Sequence, residues 1–172
     1  FAFDESRSSS WRKSVYSEYK ANRKPAPEGL RRQFAWCRQW TESLGMRCVS
    51  KKEWEADDLI GSLHHYHSSA QRPVAILTAD KDLAQLIGEQ DLWWSYLDNV
   101  RLDYRAICRK FGVRPDQIAE QLALTGDKVD NIPGIPEVGL KTASRLLKKY
   151  DTLENLRLHL DEVGKMKFRY AA

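Results

Sequence analysis

The feature that most constrains the fold is the apolar run PVAILT at residues 73–78. The run has the length of a β-strand and shows no alternation of apolar and polar residues, a pattern typical of a strand covered on both faces. In α/β proteins such strands lie in mainly parallel sheets, because crossover helices pack on both sides of the sheet. The run therefore predicts a buried strand in a layered α/β fold.

Strands and helices are predicted to alternate on both sides of this run. Further strand candidates are residues 1–4, 46–49 and 91–96. Helical spacing of apolar residues predicts a helix that begins at Pro27 and stops at Gly45, and a second helix through EADDLIGSLHHYH, residues 55–67. The segment 82–88 predicts a short helix, Asp103 caps a helix that runs to Phe111, and Pro115 opens a helix that ends near Gly126. Residues from 127 onwards are predicted to be helical, with a Gly/Pro hairpin.

The charge of the chain is unevenly distributed. The net charge is only +4, but residues 7–32 carry eight Lys and Arg against two acids, and residues 138–150 carry four basic residues and no acid. Basic segments of this kind predict a polyanion as partner. The mean hydropathy of −0.61, the lack of a long apolar run and three cysteines without a CxxC pair indicate a soluble, cytoplasmic protein with reduced thiols and no membrane partner.

Carboxylates follow the predicted strands or open the predicted helices. In parallel sheets, ligands gather beyond the carboxyl ends of the strands, so we expect the first six acids of this set to converge on one edge. Each acid alone could equally be a helix cap or a partner of the helix dipole. The set consists of Asp4, Glu55, Asp57, Asp58, Asp80, Asp82, Asp127 and Asp130.

This set of acids requires cations if its members lie close together. Hard oxygen ligands without neighbouring His or Cys favour Mg²⁺ or Mn²⁺ over Zn²⁺. Two such ions about 4 Å apart are a common arrangement for phosphodiester hydrolysis. The sequence therefore predicts two divalent-metal sites that act on a phosphate.

Four ordered motifs resemble the 5′-nuclease or flap endonuclease family, including the 5′-nuclease domain of bacterial DNA polymerase I. The motifs are FDESRSSSWRKSVYSEYKANR, EADDLIG, TADKDLAQL and LALTGDKVDNIPGIPEVGLKTASRLL, and they cover most of the chain up to about residue 150. The resemblance implies a Rossmann-like (PIN-like) core at 1–112, with a helical arch at about 7–27. It also implies a helix-three-turn-helix DNA-binding region at 113–172, packed on the core as one structural unit.

The resemblance also implies roles for individual residues. All eight acids match metal ligands of the family. The arch residues Arg12, Tyr19, Lys20 and Arg23 match positions that contact DNA, with Lys20 and Arg23 assisting catalysis; Tyr19 stacks on unpaired bases or packs in the fold. The hairpin residues Gly134, Gly139, Lys141 and Thr142 match phosphate contacts, and a K⁺ ion is implied at 132–139. Glu137 departs from the glycine frequent at its position.

The expected function is structure-specific cleavage of DNA with a free 5′ end or a 5′ flap, by a monomer associated with the nucleoid. The resemblance includes an earlier strand with a further metal-binding Asp, which this sequence does not contain. We therefore expect an incomplete chain with an incomplete site. The alternatives are a catalytically silent DNA-binding fragment and, in a different class, a Mg²⁺-dependent phosphatase. The absence of a DxDxT-type motif argues against the phosphatase.

Overall fold

The computed structural model of the chain describes residues 1–5, 10–69 and 72–163. The chain divides into two compact units, one formed by Phe1–Ala70 with Val129–Asn131 and the other by Gln71–Lys128 with Ile132–Ala172. The short stretch Val129–Asn131 thus belongs to the unit of the N-terminal residues, although its neighbours in sequence belong to the other unit. The predicted boundary at residue 112 and the packing of the two regions as one body stay predictions.

The described residues of the first unit form three helices. They are α1 (Arg12–Val15), α2 (Glu28–Ser43) and α3 (Ala56–Ser69). Helix α2 begins one residue after Pro27 and is followed by Gly45, whose φ of +71° ends the helix as predicted. The two strands predicted at 1–4 and 46–49 reduce to one parallel bridge between Ala2 and Val49. Two backbone hydrogen bonds of Val49 and one from the Phe1 amino group to the Arg47 carbonyl join these segments.

The basic segment 11–24, part of the helical arch that the resemblance implies at about 7–27, is mostly not helical. Helix α1 covers only four residues, and turns follow as far as Asn22. Lys20 has a φ of +55°, which no residue inside a right-handed helix can adopt. Residues 6–9, the beginning of the predicted arch, lie outside the described residues. Ion pairs of Arg12, Lys20 and Arg23 fix the course of this segment.

The second unit contains a three-stranded sheet in the order β1-β2-β3. Strand β1 (Ala75–Leu77) pairs in parallel with β2 (Leu92–Ser95), which pairs antiparallel with β3 (Val100–Leu102). The described part of the sheet is therefore mixed, because a short turn joins β2 to β3. The prediction that the strand at 73–78 is covered on both faces is wrong here: Ile76 is buried, but its neighbours Ala75 and Leu77 are exposed.

Helices form the rest of the second unit. Helix α4 (Tyr104–Phe111) is capped by Asp103, whose Oδ1 accepts a hydrogen bond from the Ala106 amide, as predicted. A 3₁₀ turn at Pro115–Gln117 leads into α5 (Ile118–Thr125), which ends at Gly126. The remaining helices are α6 (Leu140–Tyr150), α7 (Leu153–Leu158) and α8 (Leu160–Val163).

The core of the second unit joins the sheet to these helices. Ile107, Ala143 and Leu147 have no exposed surface, and Trp93 of β2 is 5% exposed. Burial of the larger side chains among these, such as Ile107 and Leu147, contributes about 1.5–3 kcal/mol each and holds the helices to the sheet. None of the helices in the described part of the chain is long and apolar enough to span a membrane.

Candidate active site

Glu55 lies just before α3 and is 7% exposed. One of its oxygens, Oε2, accepts hydrogen bonds from Lys20 Nζ at 2.6 Å and from the Tyr19 hydroxyl at 3.1 Å. Burial raises the pKa of Glu55, but the hydrogen bond and charge of Lys20 outweigh it and leave the pKa below its ordinary value. Glu55 is therefore ionised at neutral pH and is held by a cation of the chain.

Asp58, in the first turn of α3, is held by an arginine. Arg12 donates one hydrogen bond to each carboxylate oxygen, both at 2.7 Å, and the backbone N–H of Glu55 donates to Oδ2 at 3.0 Å. Burial raises the pKa of Asp58, whereas these hydrogen bonds lower it, and the net pKa lies below the ordinary value. The paired charges fix α1 against the start of α3.

Asp130 belongs to the stretch Val129–Asn131 and is held by the same basic segment. Its Oδ1 pairs with Arg23, and its Oδ2 lies 3.3 Å from the Tyr19 hydroxyl and 3.9 Å from Lys20 Nζ. The backbone contributes as well, because the Lys20 N–H donates to the Asp130 carbonyl at 2.9 Å. Residues distant in sequence are thus joined by charge and by backbone hydrogen bonds.

Glu55 Oε2 and Asp130 Oδ2 converge on the same two groups, the Lys20 ammonium and the Tyr19 hydroxyl. Two carboxylate oxygens that face one cation are suitable for a divalent ion, since Mg²⁺ binds to one or two carboxylates and completes its shell with water and substrate phosphate. The donor set therefore fits the metal predicted from the sequence.

The other acids of the first unit lie at the start of α3. Asp4 Oδ1 accepts a hydrogen bond from the Ala56 amide at 2.6 Å, so Asp4 is joined to the residue after Glu55. Asp57 lies in the first turn of α3 and is half-buried. Both positions agree with the helix-cap role that the sequence left open for single acids, as well as with the metal role.

Three of the predicted acids lie in the second unit. Asp80 caps the 3₁₀ helix Lys81–Leu86, because its Oδ1 accepts a hydrogen bond from the Asp82 amide at 2.9 Å. Asp127 forms a two-bond bridge with Ile132, both bonds at 2.8 Å, and this bridge closes the turn that contains Asp130. Within residues 1–5, 10–69 and 72–163, no three His, Cys, Asp or Glu side chains form a group suited to a metal. Convergence of the full set stays a prediction.

Gly134, in the hairpin after α5, packs against the backbone of Thr125 and Gly126, whereas Gly139 has open space around it. A Cβ placed on Gly134 would lie 2.2 Å from the carbonyl carbon of Thr125, so no larger residue fits. Gly139 is the N-cap of α6, and Lys141 and Thr142 lie in the first turn of that helix. Helix N-termini bind phosphate through free backbone amides. Glu137 occupies a left-handed conformation, with a φ of +66°, where glycine carries no steric penalty.

Two residues add to the sequence reasoning. Tyr19 is 5% exposed and its hydroxyl contacts two carboxylates, so in this conformation its ring offers no face to an unpaired base. Asn131 was not singled out from the sequence, yet its side chain donates to the Glu18 carbonyl at 2.8 Å. Its φ is +59°, a left-handed conformation that Asn tolerates well. The sequence signal that could have found this residue is therefore its type, since Asn is common in turns.

Comparison with known protein families identifies both parts of the chain. Residues 1–112 match the family described as 5′-3′ exonuclease, N-terminal resolvase-like domain, and residues 113–171 match 5′-3′ exonuclease, C-terminal SAM fold. DNA polymerase I of Pseudomonas aeruginosa is 43% identical over 162 residues, which are 94% of this chain and 18% of the polymerase. A 5′-3′ exonuclease of Buchnera aphidicola is 36% identical over 169 residues, 98% of this chain and 58% of that protein.

Solved structures give the same fold. The T5 D15 protein co-crystallized with metal ions has a TM-score of 0.78 at 20% identity, over 90% of this chain and 62% of that one. A complex of the bacteriophage T5 D15 flap endonuclease with DNA and metal ions has a TM-score of 0.73 at 19% identity, over 90% of this chain and 60% of that one. The mixed α/β, PIN-like N-terminal part and the helical C-terminal part are therefore those of this fold, as predicted.

Proposed function

Because the chain belongs to the 5′-3′ exonuclease family, we propose that it hydrolyses DNA phosphodiester bonds near a free 5′ end or at a 5′ flap, with the help of divalent metal ions. The chain spans about a fifth of the DNA polymerase I relatives and 58% of the stand-alone exonuclease. The observation that carries the proposal is the convergence of Glu55 and Asp130 on Lys20, which joins two buried or half-buried acids to a cation that can act on phosphate.

Divalent ions, when bound at these carboxylates, supply a hydroxide nucleophile at neutral pH and neutralise charge on the phosphate. Mg²⁺ and Mn²⁺ are favoured because the donors are hard carboxylate oxygens. The residues that would hold the ions are the eight acids predicted from the sequence, with Glu55 and Asp130 supported by their geometry. The proteins solved with metal ions and with DNA substrate share the fold, which supports the same chemistry here.

Three basic residues of segment 12–23, namely Arg12, Lys20 and Arg23, provide the contacts to DNA in this proposal. Lys20 and Arg23 donate hydrogen bonds to the non-bridging oxygens of the scissile phosphate, where negative charge develops. Arg12 orients α3 through Asp58 and thereby fixes Glu55. Tyr19 positions the two carboxylates, and contact of its ring with a base requires the segment to move.

The hairpin and α6 provide a second contact to DNA. The free amides at the N-terminus of α6, together with Lys141 and Thr142, hold a backbone phosphate of the duplex. The open space at Gly139 lets the phosphate approach, and Gly134 lets the hairpin pack against the end of α5. We also propose K⁺ at residues 132–139, bound by backbone oxygens. Replacement of KCl by tetramethylammonium chloride at equal ionic strength should then weaken duplex binding.

The test is cleavage of a 5′-flap DNA labelled at its 5′ end. With Mg²⁺ or Mn²⁺ we expect short labelled products, which are lost in EDTA and in Glu55→Gln and Asp80→Asn. Lys13→Met is the matched control, since Lys13 lies in α1 and forms no ion pair with any residue of the described ranges. Cleavage that persists in EDTA would contradict the proposal.

A second candidate is a DNA-binding module without cleavage. It is favoured by the finding that three acids do not form a metal-binding group within the described part of the chain. In that case the flap DNA would be bound and not cut, and the affinity would still fall as the salt concentration rises.

We also propose that the protein is a monomer and that it is located in the cytoplasm with the nucleoid. Light scattering tests the oligomeric state, and fluorescence imaging tests the location.

A further inference from the structure

Three cations of one segment occupy the acids to which the metal sites are assigned. Lys20 contacts Glu55 and Asp130, Arg12 contacts both oxygens of Asp58, and Arg23 contacts Asp130. The side chains of Lys20 and Glu55 are only 15% and 9% exposed, so water screens their interaction weakly. We call Arg12, Lys20 and Arg23 the basic latch.

We propose that the basic latch and a divalent cation compete for Glu55 and Asp130, so that binding of the metal releases Lys20. The proposal rests on the proposed function, since it deepens the metal chemistry of that site. A metal ion binds carboxylate oxygen at about 2.0–2.6 Å, which is the space that the Lys20 ammonium holds at 2.6 Å from Glu55 Oε2. Two cations at this distance from one oxygen repel each other strongly.

The backbone of the latch supports release. Lys20 has a φ of +55°, a conformation that is unfavourable for a residue with a Cβ and that persists only where surrounding contacts enforce it. The enforcing contacts are the Lys20 N–H bond to the Asp130 carbonyl and the ion pairs to Glu55 and Asp130. Loss of the ion pairs to a metal therefore also removes part of what holds the backbone.

Release has a consequence for the order of binding events. An ammonium paired with Glu55 cannot donate all its protons to a phosphate, whereas a released Lys20 can. Metal binding and release of Lys20 are then thermodynamically linked. The free energy by which metal binding favours release equals the free energy by which release favours metal binding. The latch keeps the repelling carboxylates neutralised until a metal takes over.

The test measures metal binding without turnover. Ca²⁺ is titrated into the whole chain by calorimetry, in the absence of DNA, for wild type, Lys20→Met, Glu55→Gln and the matched control Lys13→Met. We expect Lys20→Met to bind Ca²⁺ about tenfold more tightly or better, because a like charge within about 4 Å is removed. Lys13→Met should bind Ca²⁺ with the affinity of the wild type, and Glu55→Gln should show no Ca²⁺ binding at this site.

A second readout is hydrogen exchange of residues 12–23. A ligand ordinarily slows exchange, so faster exchange of the Lys20 amide with saturating Ca²⁺ would be specific to latch release. Equal or weaker Ca²⁺ binding by Lys20→Met, beside clear binding by wild type, would overturn the latch and leave the metal site intact. Absence of binding in both proteins would overturn the latch and the metal site together. Binding by Lys20→Met alone would support the latch.

Discussion

At the scale of single residues, Tyr19 connects the acids to each other. Its ring is buried and its hydroxyl lies 3.1 Å from Glu55 and 3.3 Å from Asp130. Burial and the two nearby negative charges raise the pKa of Tyr19 well above its ordinary value, so the hydroxyl keeps its proton. It can therefore donate to a carboxylate at neutral pH.

Replacement of Tyr19 by Phe should lower stability. The change removes a hydrogen bond to a charged acceptor while the ring stays in place, so we expect the free energy of unfolding to fall by about 1.5–3 kcal/mol. Urea denaturation measures this value. Tyr16→Phe is the control, because Tyr16 is 37% exposed and its variant should change by less than about 0.5 kcal/mol. Equal effects of the two variants would contradict the assigned bond.

At the scale of elements, the basic segment 11–24 shows that contacts with distant residues can outweigh local helix propensity. Residues 11–24 have the composition of a helix with a charged face, but the helix ends at Val15, Tyr16 is extended and residues 17–22 form turns. Val15 and Tyr16 are weak helix formers, and α1 alone is too short to be stable in isolation. Ion pairs with distant acids then decide the conformation, and such pairs cannot be read from local spacing.

The pair of Arg12 and Asp58 should couple α1 to α3 measurably. A double-mutant cycle of Arg12→Gln and Asp58→Asn should give a coupling energy of about 1 kcal/mol or more, because the bonds are bidentate and the side chains are 28% and 12% exposed. The matched control is the exposed pair Arg32 and Glu28, which should give about 0.5 kcal/mol or less. Equal coupling in both cycles would show that burial does not strengthen the first pair.

The hairpin before α6 should tolerate no side chain at Gly134. Gly134→Ala places a methyl group 2.2 Å from Thr125 backbone, so the hairpin must move. We expect duplex DNA binding to weaken about tenfold or more, equivalent to about 1.4 kcal/mol, as measured by fluorescence anisotropy. Gly29→Ala, in α2 with open space around it, should leave binding unchanged. Undiminished affinity of Gly134→Ala would remove the hairpin from the interface.

At the scale of the whole molecule, stability should fall in acid. The pKa values of Glu55 and Asp58 lie below their ordinary values of 4.5 and 3.8. The contribution of the two ionised groups is fully present above these ordinary values, and it is lost as the pH falls through the lowered values, because both carboxylates then bind protons. Urea denaturation at a series of pH values should show that the free energy of unfolding falls in acid. The Glu55→Gln variant should show a smaller fall, because it lacks one of the two carboxylates.

The sequence predicts the positions of helices and strands better than the pairings and contacts between them. Helices with clear caps, such as those at Asp103 and Gly45, lie where the local signals put them, since caps act over a few residues. Strand β3 was missed because three residues of mixed polarity, Val100–Leu102, form a strand only through pairing with β2. The candidate site behaves in the same way: the spacing in the sequence predicts candidate acids, and only the fold shows that Glu55 and Asp130 both contact Lys20.

The stretch Val129–Asn131 has a consequence for synthesis of the chain. It belongs to the unit formed by Phe1–Ala70, and Asp130 and Asn131 contact the segment that contains Glu18 and Lys20. Domains usually fold as they emerge from the ribosome, N-terminal first. The N-terminal unit here cannot complete its contacts until Asn131 has left the exit tunnel, so the basic segment meets its last acidic partner only after most of the second unit has been made.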